Sequence, residues 1–279
     1  MAGRVDGKVA FITGAARGQG RSHAVRLAQE GADIIAIDVC KPIFGSSAPP
    51  SSPEDLAETA DLVKSYNRRI ITAEVDVRDY AALQSAVDNA VEQLGRLDII
   101  VANAGIANSD SGALAESTEE NWQAILDVNL GGTWKSVKAG VPHLLAGGRG
   151  GSIILTSSVA GLKPYPGMGQ YVVTKHALVG LMRAFAVELG QRMIRVNSVH
   201  PTHTNTPMVM NEATYRTFRP DLENPGQADV APISQTFHTL PVPWVESEDV
   251  TNAVLYLASD ESRHVTGITL PVDAGSLLK

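Results

Sequence analysis

At 279 residues, 44 % of them hydrophobic, the chain is long enough to bury a substantial core in one large α/β domain. A net charge of −7 with no basic block argues against nucleic acid or an anionic membrane as its partner. The single cysteine, Cys40, excludes an internal disulfide and fits a reducing cytoplasm, and no apolar run approaches the roughly 18 residues that a membrane helix needs.

The opening stretch MAGRVDGKVAFITG runs directly into a strand and a glycine loop, so we read no leader peptide there. KVAFIT (8–13) is a short apolar run of strand formers bounded by glycines, the pattern of a strand covered on both faces. Apolar residues at helical spacing follow over 18–32, with Gly31 as the stop, and DIIAID (33–38) is the next strand. The unit then recurs in kind. Further strands are predicted at 69–77, 97–105, 151–158, 194–201 and 267–275, and helices at 54–66, 79–94, 118–145, 171–191 and 247–259. Alternating strands and helices imply a parallel sheet covered on both faces, in a single domain spanning 1–279.

Two stretches break the rhythm. Residues 40–53 form a Pro- and Ser-rich insertion where about 2–6 connecting residues are usual. Residues 204–246 are long and irregular, and we read them as a lid over a substrate, with Met208, Met210, Tyr215, Phe218, Phe237 and Trp244 as its apolar lining.

TGAARGQG sets Gly14, Gly18 and Gly20 between the first strand and the first helix. That placement allows a tight turn, a close backbone approach to a ligand, and helix–strand packing. The helix start offers unpaired N–H groups and a positive dipole end to a pyrophosphate. Asp38, eighteen residues beyond Gly20, ends the second strand where an adenosine ribose would present its hydroxyls. A carboxylate there repels a 2′-phosphate, so NAD is expected over NADP. Arg17 and Lys41 argue the other way, as cations able to hold that phosphate.

Tyr171 and Lys175 are four residues apart and share a helix face, with Ser158 thirteen residues upstream at a strand end. A free phenol ionises near pH 10, so a phenolate at neutral pH costs about 4 kcal/mol. One adjacent cation shifts a pKa by about 1–3 units. Lys175 and the positive nicotinamide ring are therefore expected to lower Tyr171 into the range of a working base. Ser158, rather than its neighbour Ser157, is expected to hold the substrate oxygen, since strand side chains alternate faces. His176, His200 and His203 lack ligand spacing with acids or cysteine, so no metal is expected. Cys40 is read as inert.

Across nearly its whole length the chain resembles the short-chain dehydrogenases/reductases. The resemblance rests on TGAARGQG, DV at 76–77, NAG at 103–105, Asn129, Ser158, YVVTK at 171–175 and HPTHTNTP at 200–207. It implies a Rossmann fold with a seven-stranded parallel sheet in the order 3-2-1-4-5-6-7, and a homotetramer. It places Arg17, Gln19, Val39, Asp76, Val77, Asn103, Ala104, Gly105, Pro201, Thr204 and Thr206 along the cofactor. Lys175 would bind the nicotinamide ribose, and Asn129 would hold a proton-relay water. Two departures stand out: Ala102 where NNAG is usual, and Thr202 where a glycine usually follows Pro201.

The insertion, VNLGGTW, PDLENP and LPVPWVE narrow the likeness to the mycofactocin-associated, carveol-dehydrogenase-like branch. That branch implies oxidation of a secondary, carveol-like alcohol to a ketone by an NAD that stays bound, with the electrons passed to an external redox carrier. Two other readings remain open: an NADH-dependent carbonyl reductase with freely exchanging cofactor, and a non-catalytic NAD-binding scaffold.

Overall fold

The computed structural model describes residues 3–107 and 112–279. It forms one seven-stranded sheet in the order β3-β2-β1-β4-β5-β6-β7, every pairing parallel. The strands are β1 (Val9–Thr13), β2 (Asp33–Asp38), β3 (Ile70–Glu74), β4 (Ile99–Ala102), β5 (Gly151–Thr156), β6 (Ile194–Pro201) and β7 (Thr269–Val272). The helices between and around them are α1 (Gly18–Gln29), α2 (Pro53–Lys64), α3 (Tyr80–Leu94), α4 (Glu119–Leu126), α5 (Thr133–Gly147), α6 (Gly169–Leu189), α7 (Glu212–Phe218), α8 (Gln227–Thr236) and α9 (Ser247–Ala258).

The continuous apolar strands have a simple cause. Successive side chains of β1 alternate between two cores, Ala10 and Ile12 packing with α1 and α9, Val9 and Phe11 with α3, α5 and α6. Both faces are dry, so neither set can be polar. Beside β1 the chain order reverses: β2 lies on one side and β4 on the other. In such sheets the crevice above that switch point, at the strand carboxyl ends, is the place for a ligand.

Three local features depart from the sequence pattern. The helix expected over 118–145 is split by a π-helical stretch, Asp127–Gly132, which carries Asn129 between α4 and α5. π-turns cluster at functional sites. Within 204–246 two helices, α7 and α8, form where none is legible in the sequence. The base of this excursion is clasped: Asn205 N donates to Val245 O at 2.9 Å and Val245 N to His203 O at 3.0 Å. Finally, the 40–53 segment is anchored at both ends. Ile43 joins a small apolar cluster with Ile106, Ile125 and Val128, and Ser47 N donates to Ala107 O at 3.1 Å. The segment thus crosses from the end of β2 to the loop after β4. It ends where Ser52 and Asp55 close a capping box on Pro53 at the start of α2.

Candidate active site

A cavity of about 640 Å³ opens above the switch point, at the carboxyl ends of the strands. Of the residues read from the sequence, Gly14, Arg17, Gly18, Gln19, Asp38, Val39, Asp76, Val77, Asn103, Ala104, Gly105, Ser158, Tyr171, Lys175, Pro201, Thr204 and Thr206 all line it. Gly20 and Asn129 do not; each stands behind the wall.

The glycine end is built for close approach. A Cβ on Gly20 would lie 1.9 Å from the Gly14 carbonyl oxygen, and Gly18 sits at φ +54° with Thr206 against it. Arg17, the residue before α1, gives no side-chain cap, so the first N–H groups of that helix remain available. Among the described residues Gln19 Oε1 is buried without a partner. Uncapped amides, an acceptor without a donor and a loop that no side chain fits are what a dinucleotide would fill. Asn103 turns out to be a brace: its Nδ2 donates to the Thr13 and Gly14 carbonyls at 3.1 and 3.3 Å and so holds the loop in shape.

Asp38 is buried, and one of its oxygens accepts Ala16 N at 3.0 Å. The other accepts the Ser51 hydroxyl at 2.7 Å and Cys40 N at 3.2 Å. Arg17, weighed above as a phosphate holder, donates to the carbonyls of Pro49 and Pro50 instead. Its charge is committed to the 40–53 segment, which removes most of the case for a 2′-phosphate. Burial and the neighbouring Asp38 push the Cys40 thiol up to about 12, the condition of an unreactive thiol.

At the other end β5 and α6 bring three groups together. Ser157 and Ser158 separate as strand alternation requires: Ser157 Oγ donates to the Lys175 carbonyl at 2.9 Å, and Ser158 interacts with the Tyr171 hydroxyl. Ser158 Oγ also accepts Ala160 N at 3.1 Å. Lys175 Nζ donates to the Thr156 carbonyl at 2.9 Å and lies over the Tyr171 ring. Thr156 ends β5 as an ordinary strand residue, and nothing in its sequence setting announces this role.

The electrostatics of the chain by itself are dominated by burial. Burial raises the Tyr171 phenol above its ordinary value, and the Ser158 hydroxyl offsets this only in part. Burial also pushes Lys175 down to about 8. Desolvation outweighs the cation here, because both groups are taken out of water before either is charged.

Asn129 is fully buried. Its Oδ1 accepts Ile106 N at 2.8 Å and its Nδ2 donates to Ile106 O at 2.9 Å, tying the π-helix to the loop after β4. A 3.4 Å contact from Nδ2 to Thr174 Oγ1 extends the tie to α6. Of the expected lid residues, Met208, Phe218 and Phe237 line the cavity, whereas Met210, Tyr215 and Trp244 do not. Tyr165, Met168 and Ser276 line it too, and no motif marks them. The histidines are held by ordinary partners. His200 bonds Ser198 Oγ and the Ser158 carbonyl, each at 2.8 Å, and His176 bonds the carbonyl one turn before it.

Residues 14–276 match the family model described as enoyl-(acyl carrier protein) reductase. The (-)-trans-carveol dehydrogenase of Rhodococcus erythropolis is 52 % identical, with 99 % of each chain covered. A carveol dehydrogenase from Mycobacterium avium, solved in complex with NAD, is 70 % identical with a TM-score of 0.98, covering 99 % of this chain and 100 % of that one. A short-chain dehydrogenase from Mycobacterium paratuberculosis, solved bound to NAD, is 49 % identical with a TM-score of 0.89, covering 99 % and 100 %.

Proposed function

The chain belongs to the short-chain dehydrogenase/reductase family, and on that premise we propose that it is an NAD-dependent dehydrogenase that converts a hydrophobic secondary alcohol to a ketone. The observation that carries this reading is the convergence of Ser158, Tyr171 and Lys175 in a cavity whose far end is the glycine loop and Asp38.

NAD, when bound, supplies the acceptor for the hydride leaving the carbinol carbon. Asp38 and the amides opening α1 are the groups to hold its adenosine ribose and pyrophosphate, and Lys175 its second ribose. Ser158 holds the substrate oxygen by a hydrogen bond and stabilises the charge that develops there. Tyr171 takes the hydroxyl proton as general base. The Thr156 carbonyl fixes the Lys175 ammonium so that it stabilises the phenolate as it forms. Asn129 keeps the loop after β4 in register and stands on the path by which the proton leaves.

The substrate is uncharged. Among the described residues the charged side chains lining the cavity are Arg17, Asp38, Lys41, Asp76 and Lys175, and none belongs to the wall formed by 204–246. That segment acts as the lid, and its lining of Met208, Phe218 and Phe237 suits an alicyclic, terpene-like alcohol. The 40–53 segment retains the cofactor between turnovers. Its Ser51 bond to Asp38 and its grip on Arg17 support this. Electrons then leave to an external redox carrier, mycofactocin. The protein works in the cytoplasm as a homotetramer, for which exposed Trp134 and Val187 offer apolar contact surface. Among the described residues no helix is long and apolar enough to cross a membrane.

The test is a panel of secondary alcohols run with a dye acceptor and, in parallel, with free NAD. Dye-dependent turnover without added NAD is expected. Turnover only with added NAD would instead make the protein an enzyme with exchanging cofactor, and turnover with neither would remove the activity.

A further inference from the structure

His203 is a half-buried histidine that the proposed chemistry leaves unused, and it lines the cavity beside Phe218 and Phe237. Its Nδ1 lies 2.7 Å from Ser234 Oγ. The Ser234 hydroxyl has one proton and donates it to the Pro243 carbonyl. His203 must therefore be the donor in its bond to Ser234. This fixes the tautomer with the proton on Nδ1 and leaves Nε2 as a bare acceptor. Among the described residues nothing bonds to Nε2, and His203 lines the cavity.

The ring is held firmly. Phe218 and Phe237 meet it edge-on, with centroids at 5.4 and 5.6 Å and interplanar angles of 84° and 79°, and His238 flanks it at 5.9 Å. His238 is itself fixed between Thr202 Oγ1 at 2.8 Å and the Val242 carbonyl at 2.7 Å. Burial pushes His203 down to about 4, so the ring is neutral at pH 7 and its acceptor is free. A rigid, neutral acceptor set among aromatic edges cannot help an all-hydrocarbon substrate; such an atom loses its water when the cavity fills and gains nothing. It rewards a substrate that carries a donor.

We propose that His203 Nε2 accepts a hydrogen bond from a second hydroxyl of the substrate, so that among alicyclic alcohols those carrying a second hydroxyl are preferred. This rests on the alcohol-oxidation reading above and deepens it. The reacting hydroxyl sits at Ser158 and Tyr171, and the second one reaches the lid wall.

The holoenzyme with a dye acceptor is assayed on 4-methylcyclohexanol, 4-methoxycyclohexanol, 1,4-cyclohexanediol and 4-(hydroxymethyl)cyclohexanol. The first two match the others in size but carry no second donor, and the last extends the donor's reach. We expect kcat/KM for the better diol to exceed that for the methyl compound by about tenfold or more, the scale of one buried hydrogen bond. In His203→Phe the advantage should fall to near unity while turnover of 4-methylcyclohexanol is kept. Equal kcat/KM for diols and methyl compound in the unaltered enzyme overturns the assignment, as does an advantage that survives in His203→Phe. Should that variant fail to fold, the comparison in the unaltered enzyme decides alone. Turnover of none of the four probes removes the alcohol-oxidation reading itself, and this inference with it.

Discussion

The Lys175 ammonium stands 5.3 Å from the centre of the Tyr171 ring while donating to the Thr156 carbonyl at 2.9 Å. The two groups are neighbours on one face of α6, Lys175 is buried and Tyr171 half-buried, and loss of water disfavours the charged form of each. Each is thus costly to ionise alone and cheaper to ionise beside the other. A site so arranged holds its base protonated at rest and releases the proton when reaction brings charge into the cavity.

The pH dependence follows from that. Tyr171 must lose its proton to act as base, and its pKa is raised, not lowered. In the direction of alcohol oxidation, kcat/KM should climb with pH from 7 into the alkaline range rather than level off below neutrality. Tyr171→Phe should lower kcat by about 10²–10⁴-fold, the usual worth of a general base, while NAD binding followed by fluorescence is retained. A variant that keeps turnover would end the role assigned to this phenol.

On the proposed reading, Asp38 selects the cofactor. Its carboxylate receives Ala16 N, Cys40 N and the Ser51 hydroxyl, so it is fixed in place and faces the cavity. Asp38→Ser removes the negative charge but keeps a small polar group. The ratio of NAD to NADP affinity, measured by titrating cofactor-stripped protein, should drop by at least about tenfold, roughly one 1.4 kcal/mol step. An unchanged ratio would mean that discrimination lies elsewhere.

Acid should unfold the protein early. Burial lowers His23 to about 3 and His200 and His203 to about 4, against an ordinary 6.5. Below pH 6.5 the unfolded chain takes up protons that the folded chain refuses, so stability is present above that pH and is lost as pH falls toward 4. Each group contributes about 1.4 kcal/mol per pH unit within that window. His23 is the cleanest case: Nδ1 pairs with Thr251 Oγ1 at 2.7 Å and Nε2 has no partner among the described residues. Thermal melts from pH 7 to 4 should show a steep fall in Tm, flattened in His23→Leu. Parallel curves for the two proteins would exclude His23 as a source.

The sheet was legible because each buried strand is a run of apolar residues between turn residues, and β1 to β7 fall where such runs lie. The grouping of Ser158, Tyr171 and Lys175 was legible because Tyr171 and Lys175 are bound by helical spacing and Ser158 by strand alternation. Thr156, Ser51 and Ile106 were not, because they act through a main-chain carbonyl, a hydroxyl in an irregular segment and a peptide unit. Such roles depend on where the backbone goes, and no periodicity reports that. The desolvation of Tyr171 was not legible for a related reason: spacing reveals a neighbouring charge but not the loss of water around it. The π-helix is likewise hidden, since Asp127–Gly132 continues the helical pattern and differs only in which carbonyl each amide reaches.

On the function proposed above, the 40–53 segment is the part that sets how long the cofactor stays. It is pinned by Ile43 against Ile106 and Ile125, by Ser47 N to the Ala107 carbonyl, by Ser51 to Asp38, and by Arg17 to the Pro49 and Pro50 carbonyls. For the adenosine half to leave, several of these contacts must open together, and their costs add in the barrier to release. Replacing residues 42–50 with a short glycine-serine linker removes most of them but leaves Asp38 and the glycine loop intact. Protein purified without added cofactor, then denatured, should release close to one NAD per chain from the unaltered enzyme and far less from the shortened one. The shortened enzyme should regain dye-dependent turnover when NAD is supplied. Arg17→Ala, which releases one contact, should fall between the two in the rate at which bound NAD exchanges with added labelled NAD. If the unaltered protein is purified empty and exchanges NAD as fast as the shortened form, the segment is no barrier, and its bonds to Asp38 and Arg17 serve only to order the loop itself.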